Sequence, residues 1–148
     1  MYKILYNMGM KVGIFCNKAT KKFESVQNKL LRLLRERGVE FDTYFRVEEI
    51  GDVDVLFVLG GDGTILKVAI ETGRRGILLL GINAGNLGFL TEFEGDEAKK
   101  AVDLLCGGEY ATESRSVLEI SVSGKKYYAL NDATFHRHYD ESVDNNVV

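Results

Sequence analysis

Apolar runs alternate along the chain with segments in which apolar residues recur at helical spacing. The last two apolar runs are almost uninterrupted, which indicates strands that are buried on both faces and therefore paired in parallel. Strands that alternate with helices in this way predict right-handed crossovers and a layered sheet. The predicted strands are residues 10–16, 39–45, 53–59 and 77–82. We therefore expect an α/β fold: a doubly wound, mostly parallel sheet with flanking helices.

The same pattern predicts two amphipathic helices. The first covers residues 20–37, with Thr20 as its N-cap and Gly38 as the residue that ends it. Its apolar face consists of Phe23, Val26, Leu30, Leu33 and Leu34. The second covers residues 96–105 and ends at the glycine pair 107–108.

After this second helix the pattern changes to short strands. Residues 116–121 and 126–130 flank a short polar segment and predict an antiparallel hairpin, to which residues 133–138 could add a third strand. We therefore divide the chain into an α/β domain over residues 1–110 and the start of an antiparallel β domain over residues 111–148. We expect this second domain to be incomplete, an antiparallel β domain that is cut short.

The composition narrows the classes of function. The 148 residues are 45% apolar and 28% charged, which is ordinary for a soluble globular domain. A net charge of −3, with basic residues spread through the chain, is not the footprint of a nucleic-acid binder. No apolar run reaches the ~18 residues of a membrane span, and the N-terminus has no leader pattern, so we expect a cytoplasmic protein that engages no membrane. Cys16 and Cys106 lack disulfide or zinc spacing and are expected to be reduced.

The most informative segment is Gly-Gly-Asp-Gly-Thr, which follows the third predicted strand and opens directly into a helix. Gly60, Gly61 and Gly63 allow the turn to bring its N–H groups close to an anionic oxygen, so together with Thr64 they predict a phosphate loop. Asp62 adds negative charge where a phosphate site favours positive charge. This suggests a chemical role, as acceptor of a hydroxyl proton or as a metal ligand. The alternative is that Asp62 only caps the helix.

Two further features lie close to this turn. Lys67 is on the first turns of the same helix. Either its ammonium group reaches a bound phosphate, or it is a solvated surface lysine that could pair with Glu71. A second glycine-rich segment, residues 81–91, follows the fourth strand, so the two loops could face one crevice. Within it, Phe89 either stacks on a base or nicotinamide ring or seals the core beneath the loop.

Polar residues near the end of the chain are a weaker signal. Asn131 and Asp132 lie between predicted strands and form either a turn or a pair that binds sugar hydroxyls, since they offer one donor and several acceptors. His136 and His138, with Asp140 nearby, suggest a metal site, but two histidines without a third well-placed ligand are more often surface residues. We therefore predict no protein metal site here.

Three elements together resemble the NAD kinase family in order and spacing: GGDGT after the third strand, GINAGNLGFLT after the fourth, and LND near the end. The resemblance covers residues 10–147. GGDGT alone is also similar to the diacylglycerol and sphingosine kinases and to the sugar phosphofructokinases, but the other two elements do not suit those families. The resemblance implies an N-terminal α/β domain followed by a C-terminal β-sandwich, with the active site at their junction.

The same resemblance implies a function. It indicates phosphorylation of the 2′-hydroxyl of the adenosine ribose of NAD by ATP or polyphosphate, with Mg²⁺ or another divalent metal accompanying ATP. By position, Asp62 resembles the catalytic carboxylate and an NAD contact, Gly63 a phosphate-loop contact, and Lys67 the residue near the dinucleotide phosphates. Phe89 would line the NAD pocket, and the pair Asn131-Asp132 would hydrogen-bond the dinucleotide. The full-length protein is expected to be a homo-oligomer, a dimer or a tetramer.

One departure from the family pattern affects the expected activity. The sequence ends before the Gly/Thr/Ser-rich segment that completes the family's dinucleotide site, so we expect it to be the N-terminal portion of a longer kinase. Two alternatives therefore stay open for this chain. One is a non-catalytic nucleotide-binding module, and the other is a lipid kinase-like domain that acts on diacylglycerol or sphingosine.

Overall fold

The structure is a computed structural model that describes residues 9–16, 21–83, 88–130 and 132–134. Three α-helices and seven strands are present in these residues, together with short 3-10 turns. In chain order they are β1 Val12–Cys16, α1 Lys21–Glu36, β2 Phe41–Tyr44, β3 Val55–Leu59, α2 Asp62–Thr72, β4 Leu78–Asn83, β5 Phe93–Glu94, α3 Ala98–Gly107, β6 Leu118–Val122 and β7 Lys125–Ala129.

The main sheet has five strands in the order β2-β1-β3-β4-β5, and all neighbouring strands are parallel. The chain runs outward from β1 to β2 and then continues on the other side through β3, β4 and β5, so the strand order reverses between β1 and β3. This confirms the predicted parallel α/β sheet. The sequence pattern does not reveal β5, because that strand contributes only two residues.

Burial along the strands follows their place in the sheet. Every residue of β1 and β3 is buried, as their apolar runs predict. In β4 the prediction of burial on both faces is only partly right, because Leu78 is 38% exposed. The reason is that β5 pairs only with Ile82 and Asn83, so the first half of β4 has no neighbour on that side.

Different helices cover the two faces of the sheet, which confirms the doubly wound arrangement. Successive strand residues point to opposite faces. Ile14 and Phe57 therefore belong to the core beneath α1 and α3, whereas Phe15 and Val58 belong to the core beneath α2. The fully buried apolar residues described in the helices are Leu30 and Leu34 of α1, Val68 of α2, and Ala98, Ala101 and Val102 of α3, and Thr72 of α2 is also fully buried.

Glycine ends two of the helices, as the sequence predicts. Gly38 has a φ of 65° and follows α1, where the N–H of Val39 donates to the carbonyl oxygen of Leu34. Gly108 has a φ of 66° and follows α3. Both positions are in the left-handed region that favours glycine. The predicted N-cap Thr20 lies outside the described residues.

The predicted hairpin is confirmed as the antiparallel pair β6-β7. Its turn is shorter than predicted, because Ser123 and Gly124 alone connect the strands, with φ values of 49° and 78°. Positive φ at both positions matches the right-handed twist of paired strands. In the predicted third strand, Ala133 and Thr134 are not in a strand and residues 135–138 lie outside the described residues. The predicted division at residue 110 stays a prediction.

One face of the hairpin carries a polar ladder that contacts the α/β layer. Glu119 accepts hydrogen bonds from Lys126 Nζ at 2.7 Å and from Tyr128 Oη at 3.0 Å. The bond from Lys126 has the larger effect and the bond from Tyr128 the next largest, and both lower the pKa of the Glu119 carboxyl below its ordinary value. The Arg74 guanidinium, just after α2, lies 4.1 Å from the centroid of the Tyr128 ring. A cation–π contact thus links the hairpin to the end of α2.

Two other expectations concern the membrane and the cysteines. No helix in the described part of the chain combines the length and the apolar character that a bilayer crossing requires. Cys16 is buried in β1, Cys106 is half-buried on α3, and neither forms a disulfide, as their spacing predicts. Burial raises the pKa of the Cys106 thiol above its ordinary value.

Candidate active site

The Gly-Gly-Asp-Gly-Thr turn lies at the carboxyl end of β3, next to the point where the strand order reverses. The N–H of Gly60 donates to the carbonyl oxygen of Ile82 at 3.1 Å, which ties the turn to the end of β4. Gly61 is the N-cap of α2, and its carbonyl oxygen accepts the N–H of Thr64 at 2.9 Å. Asp62 is the first residue of the helix. The predicted strand–turn–helix is therefore present at the sheet edge where doubly wound folds bind ligands.

Gly60 and Gly63 of this turn differ in the space around their Cα atoms. A Cβ on Gly60 would lie 2.4 Å from Thr64 Oγ1 and 2.5 Å from Thr64 Cβ, so only glycine lets the helix start this close to the strand. A Cβ on Gly63 would meet no atom within 4 Å. Packing therefore explains Gly60 but not Gly63, which is exposed on the first turn of α2.

The Asp62 carboxylate bridges the turn to the second glycine-rich segment. Its Oδ2 accepts the N–H of Phe89 at 3.0 Å, and its Oδ1 accepts the N–H of Leu90 at 3.0 Å. The alternative that Asp62 merely caps the helix is wrong, because the N-cap is Gly61 and no side chain caps α2. Asp62 is half-buried, and an ionised carboxylate has about four acceptor positions, so the two bonds leave about half of them for other donors.

The loop that Asp62 holds is fixed to β4 at several points. The N–H of Gly81 donates to Glu92 Oε2 at 2.7 Å, and the N–H of Glu92 donates to the carbonyl oxygen of Gly81 at 3.1 Å. Thr91 is buried, and its Oγ1 accepts the N–H of Gly88 at 2.8 Å. These contacts confirm that the two glycine-rich segments meet at one edge of the sheet.

The predicted binding residues Phe89 and Lys67 both reach solvent. Phe89 is 98% exposed, so the alternative that its ring seals the core is wrong and the ring is accessible to a ligand. Lys67 is exposed on α2 and forms no ion pair with Glu71, which removes the pairing alternative. The contact of Lys67 with a phosphate and the stacking of Phe89 on a base stay predictions.

A cavity of about 870 Å³ lies beside this site, between α2, β4 and the hairpin. Its lining includes Ile65, Leu90, Arg74, Tyr110 and Tyr128. Asp62 itself does not line the cavity. Leu90 is shared between the two places, because its N–H also donates to Asp62 Oδ1.

Residues 41–110 match the protein family described as the ATP-NAD kinase N-terminal domain. The chain is 34% identical over 139 residues to the NAD kinase of Caldicellulosiruptor bescii, an alignment that covers 91% of this chain and 52% of that protein. The chain belongs to the NAD kinase family. The NAD kinase of Bacteroides fragilis is also 34% identical, over 83% of this chain and 50% of its own length. The chain thus spans about half the length of these NAD kinases.

Two solved structures of NAD kinase family members share the fold. A crystal structure of an NAD kinase from Archaeoglobus fulgidus in complex with ATP superposes with a TM-score of 0.64 at 19% identity, covering 79% of this chain and 45% of that one. The yeast NADH kinase complexed with NADH gives a TM-score of 0.61 at 19% identity, covering 81% and 46%. At this identity they establish the fold alone. The resemblance to the NAD kinase family is therefore confirmed by sequence and by fold.

The third NAD kinase element, LND, is only partly described. Asn131 and the residues His136, His138 and Asp140 lie outside the described residues. Asp132 is exposed and forms no hydrogen bond with the loop at residues 88–91. Within the described residues, no group of three histidine, cysteine, aspartate or glutamate side chains is placed to hold a metal ion. The roles of Asn131 and Asp132 stay predictions.

Three residues at this candidate site were not singled out from the sequence. Gly88 lies against Asp62, Thr91 anchors the loop, and the Asn83 side chain lies 3.8 Å from where a Cβ of Gly61 would be. All three belong to the GINAGNLGFLT segment. Gly88 and Thr91 lie close to Phe89 in the sequence, but their residue types alone do not indicate that they support Asp62.

Proposed function

We propose that this chain supplies the N-terminal half of an NAD kinase, which transfers the terminal phosphoryl group of ATP or polyphosphate to the 2′-hydroxyl of the adenosine ribose of NAD. The observation that supports this most is the Asp62 carboxylate, held by two loop amides at the carboxyl edge of a parallel sheet, directly after a glycine turn. We also propose that the enzyme is cytoplasmic, as its sequence pattern predicts, and, from the resemblance to the family, that it is a homo-oligomer of two or four subunits when full length.

Asp62 is the proposed general base. Phosphoryl transfer depends on alignment and on neutralisation of charge, and the acceptor hydroxyl must lose its proton as it attacks. The acceptor positions of Asp62 that are not used by Phe89 and Leu90 can take a hydrogen bond from the ribose hydroxyl and then its proton. Asp62 therefore also contacts NAD.

The start of α2 is the proposed phosphate site. In an α-helix the first N–H groups have no acceptor within the helix and carry partial positive charge, which favours an anion. Gly60, Gly61, Gly63 and Thr64 form the turn. The N–H of Gly60 already donates to Ile82 and that of Thr64 to Gly61, so the turn is proposed to meet the phosphate at the N–H groups between them. The exposed Gly63 lets an oxygen approach closely there. Lys67, exposed further along α2, adds a mobile positive charge for the dinucleotide phosphates.

Mg²⁺ or another divalent metal is the proposed partner of ATP. Mg²⁺ commonly binds through substrate phosphates, with water and one or two carboxylates. The described residues at the turn offer one carboxylate, that of Asp62, and this donor set fits an ion carried mainly by the donor phosphates. The ion would supply charge neutralisation for the transferred group.

The Phe89 ring, together with Asn131 and Asp132, is proposed to bind NAD. Phe89 donates its own N–H to Asp62, and its fully exposed ring is placed to stack on a planar base, which buries the ring only when the ligand is present. The polar pair is proposed to hydrogen-bond the dinucleotide, on the resemblance to the family alone.

The test is an assay of NADP formation by the full-length enzyme. The protein is incubated with ATP, Mg²⁺ and NAD, and NADP is measured with an NADP-specific dehydrogenase. Asp62→Asn should retain NAD binding and lose on the order of 10²- to 10⁴-fold in turnover, the usual contribution of a positioned base. Lys67→Ala should raise the KM for NAD, whereas Glu71→Ala, a matched change on the same exposed helix, should not. A rate near wild type for Asp62→Asn would refute the base, and equal KM values for the two helix variants would return Lys67 to a surface role.

A second candidate is a nucleotide-binding module without catalysis by this chain alone. One observation favours it: the chain spans about half the length of its relatives. Calorimetry that shows NAD binding while the assay gives no NADP would support it. Product formed from diacylglycerol or a sphingoid base would instead support the lipid kinase alternative.

A further inference from the structure

Backbone amides of the neighbouring loop hold the Asp62 carboxylate in one orientation. The Asp62 carboxylate accepts two consecutive backbone N–H groups, one on each oxygen, those of Phe89 and Leu90. A carboxylate held on both oxygens cannot rotate about its Cβ–Cγ bond without breaking one of the bonds. The direction of its remaining acceptor positions is therefore set by where the loop holds the two amides.

Gly88 lets the loop come this close. A Cβ at this position would lie 2.2 Å from Asp62 Oδ1, 2.7 Å from its Cγ and 3.0 Å from its Oδ2. A methyl group cannot occupy this space unless the carboxylate or the loop moves away. Gly88 is therefore required by the approach of Asp62 to the loop.

Thr91 holds the other end of the loop. Its side chain is 5% exposed, and its Oγ1 accepts the N–H of Gly88 at 2.8 Å, which closes residues 88–91 into a compact turn. The turn rests directly on β4, because a Cβ on Gly81 would lie 3.0 Å from the Leu90 carbonyl oxygen and 3.1 Å from Thr91 Cα. The amides that hold Asp62 thus have a rigid support.

We propose that Gly88 and Thr91 are positioning residues that orient the Asp62 carboxylate through the backbone amides of Phe89 and Leu90. Neither residue touches the substrate in this assignment. The proposal rests on the proposed function for its catalytic consequence, because the orientation matters to the reaction only if Asp62 is the base. The orientation itself is a property of the folded chain.

The first test measures the orientation without any activity. Hydrogen exchange of the full chain, followed by NMR, gives the protection of the Phe89 and Leu90 amides. Thr91→Val, which keeps the shape but removes the acceptor oxygen, should lower protection of both amides about fivefold, the factor that corresponds to the ~1 kcal/mol of one neutral hydrogen bond. Thr91→Ser, which keeps the oxygen, should stay within about twofold of wild type on the same scale.

Gly88→Ala should remove the protection of both amides while the amides of β3 stay protected. If Gly88→Ala fails to fold, the two threonine variants still decide, since each preserves most of the buried volume. Equal protection in Thr91→Val, Thr91→Ser and wild type would overturn the proposal, as would a Gly88→Ala variant whose Phe89 and Leu90 amides exchange at wild-type rates.

The second test measures the catalytic consequence in the NADP assay. Thr91→Val should lower kcat with little change in the KM for NAD, and Thr91→Ser should restore it, a pattern that a general loss of folded protein would not give. If the full-length wild-type enzyme forms no NADP, the proposed function fails while the exchange data still decide the orientation. If Thr91→Val loses amide protection but keeps its kcat, the positioning role is wrong and the proposed function stands.

Discussion

Gly60 and Gly63 are three positions apart in one turn, yet we expect opposite effects from the same substitution. In Gly60→Ala the new Cβ would lie within 2.8 Å of three atoms of Thr64, namely Oγ1, Cβ and Cγ2. Thr64 is β-branched and helical, so its side chain has few rotamers in which to move away, and the start of α2 must shift instead. Overpacking of this kind costs about 1–3 kcal/mol. We expect the upper part of that range, because backbone has to move.

Gly63→Ala is the matched control. A Cβ there meets no atom within 4 Å, and the residue has no positive φ. Replacing an unstrained glycine by alanine in a helix stabilises by up to about 1 kcal/mol, because the unfolded chain loses conformational freedom and alanine favours the helix. For a domain of this size 1 kcal/mol corresponds to about 2–4 °C in Tm. Gly60→Ala should therefore lower Tm by about 4–12 °C, and Gly63→Ala should raise it by up to about 4 °C.

The assay is thermal unfolding by circular dichroism, with urea unfolding to give the free energy. A Gly60→Ala variant that melts within a degree of wild type would contradict the clash with Thr64. So would a Gly63→Ala variant that is as destabilised as Gly60→Ala. The same pair separates fold from function. Because Gly63 is exposed where a phosphate is proposed to approach, Gly63→Ala should weaken nucleotide binding in calorimetry although it is at least as stable. Unchanged affinity would remove Gly63 from the phosphate loop.

Three other predictions concern the rest of the fold. Arg75 donates to the carbonyl oxygens of residues 50–51 and is 32% exposed, so Arg75→Ala should cost about 1–2 kcal/mol in urea unfolding, and a loss indistinguishable from zero would contradict this. The hydrogen bond from Lys99 lowers the pKa of Asp103 below its ordinary 3.8, so the resulting stability is present above that pH and is lost as pH falls through the lowered pKa. Melting between pH 5 and 2 should therefore show a shallower acid loss in Asp103→Asn than in wild type, and parallel curves would refute it. Burial raises the pKa of Cys106 above 9.0, so mass spectrometry should find that iodoacetamide modifies it more slowly at pH 8 than a cysteine in an unfolded peptide, and equal rates would show that the thiol is not protected.

The sequence predicted most of the fold, because hydrophobic periodicity reports burial directly. β1 and β3 were found within two residues of their ends, and the glycines that end α1 and α3 have the φ values that their position requires. Two features of the sheet were not predicted, the strand β5 and the exposure of Leu78. β5 is too short to form a pattern, and Leu78 is exposed because of a neighbour that is missing in space, which a strand's own sequence does not record.

The site was predicted less completely, for a different physical reason. The glycine turn follows from residue types and lies at the sheet edge that the topology implies, whereas the residue type of Phe89 left open whether its ring is exposed or buried. The partners of Asp62 are backbone N–H groups 27 and 28 positions away, and every residue except proline carries such a group. Side-chain identity could therefore show only the traces of the contact, at Gly88 and Thr91.

This double use of Asp62 changes how its variants should be interpreted. In Asp62→Asn one amide oxygen still accepts a loop N–H, but the other terminal atom is an NH₂ group that faces a second N–H and leaves it without an acceptor. An unsatisfied donor of this kind costs about 1–3 kcal/mol where it is buried, and less at this half-exposed position. A loss of turnover in Asp62→Asn alone therefore combines removal of a base with loosening of the loop. Thr91→Val loosens the loop and leaves the carboxylate intact, so the turnover that Asp62→Asn loses beyond Thr91→Val is the part that can be assigned to proton transfer.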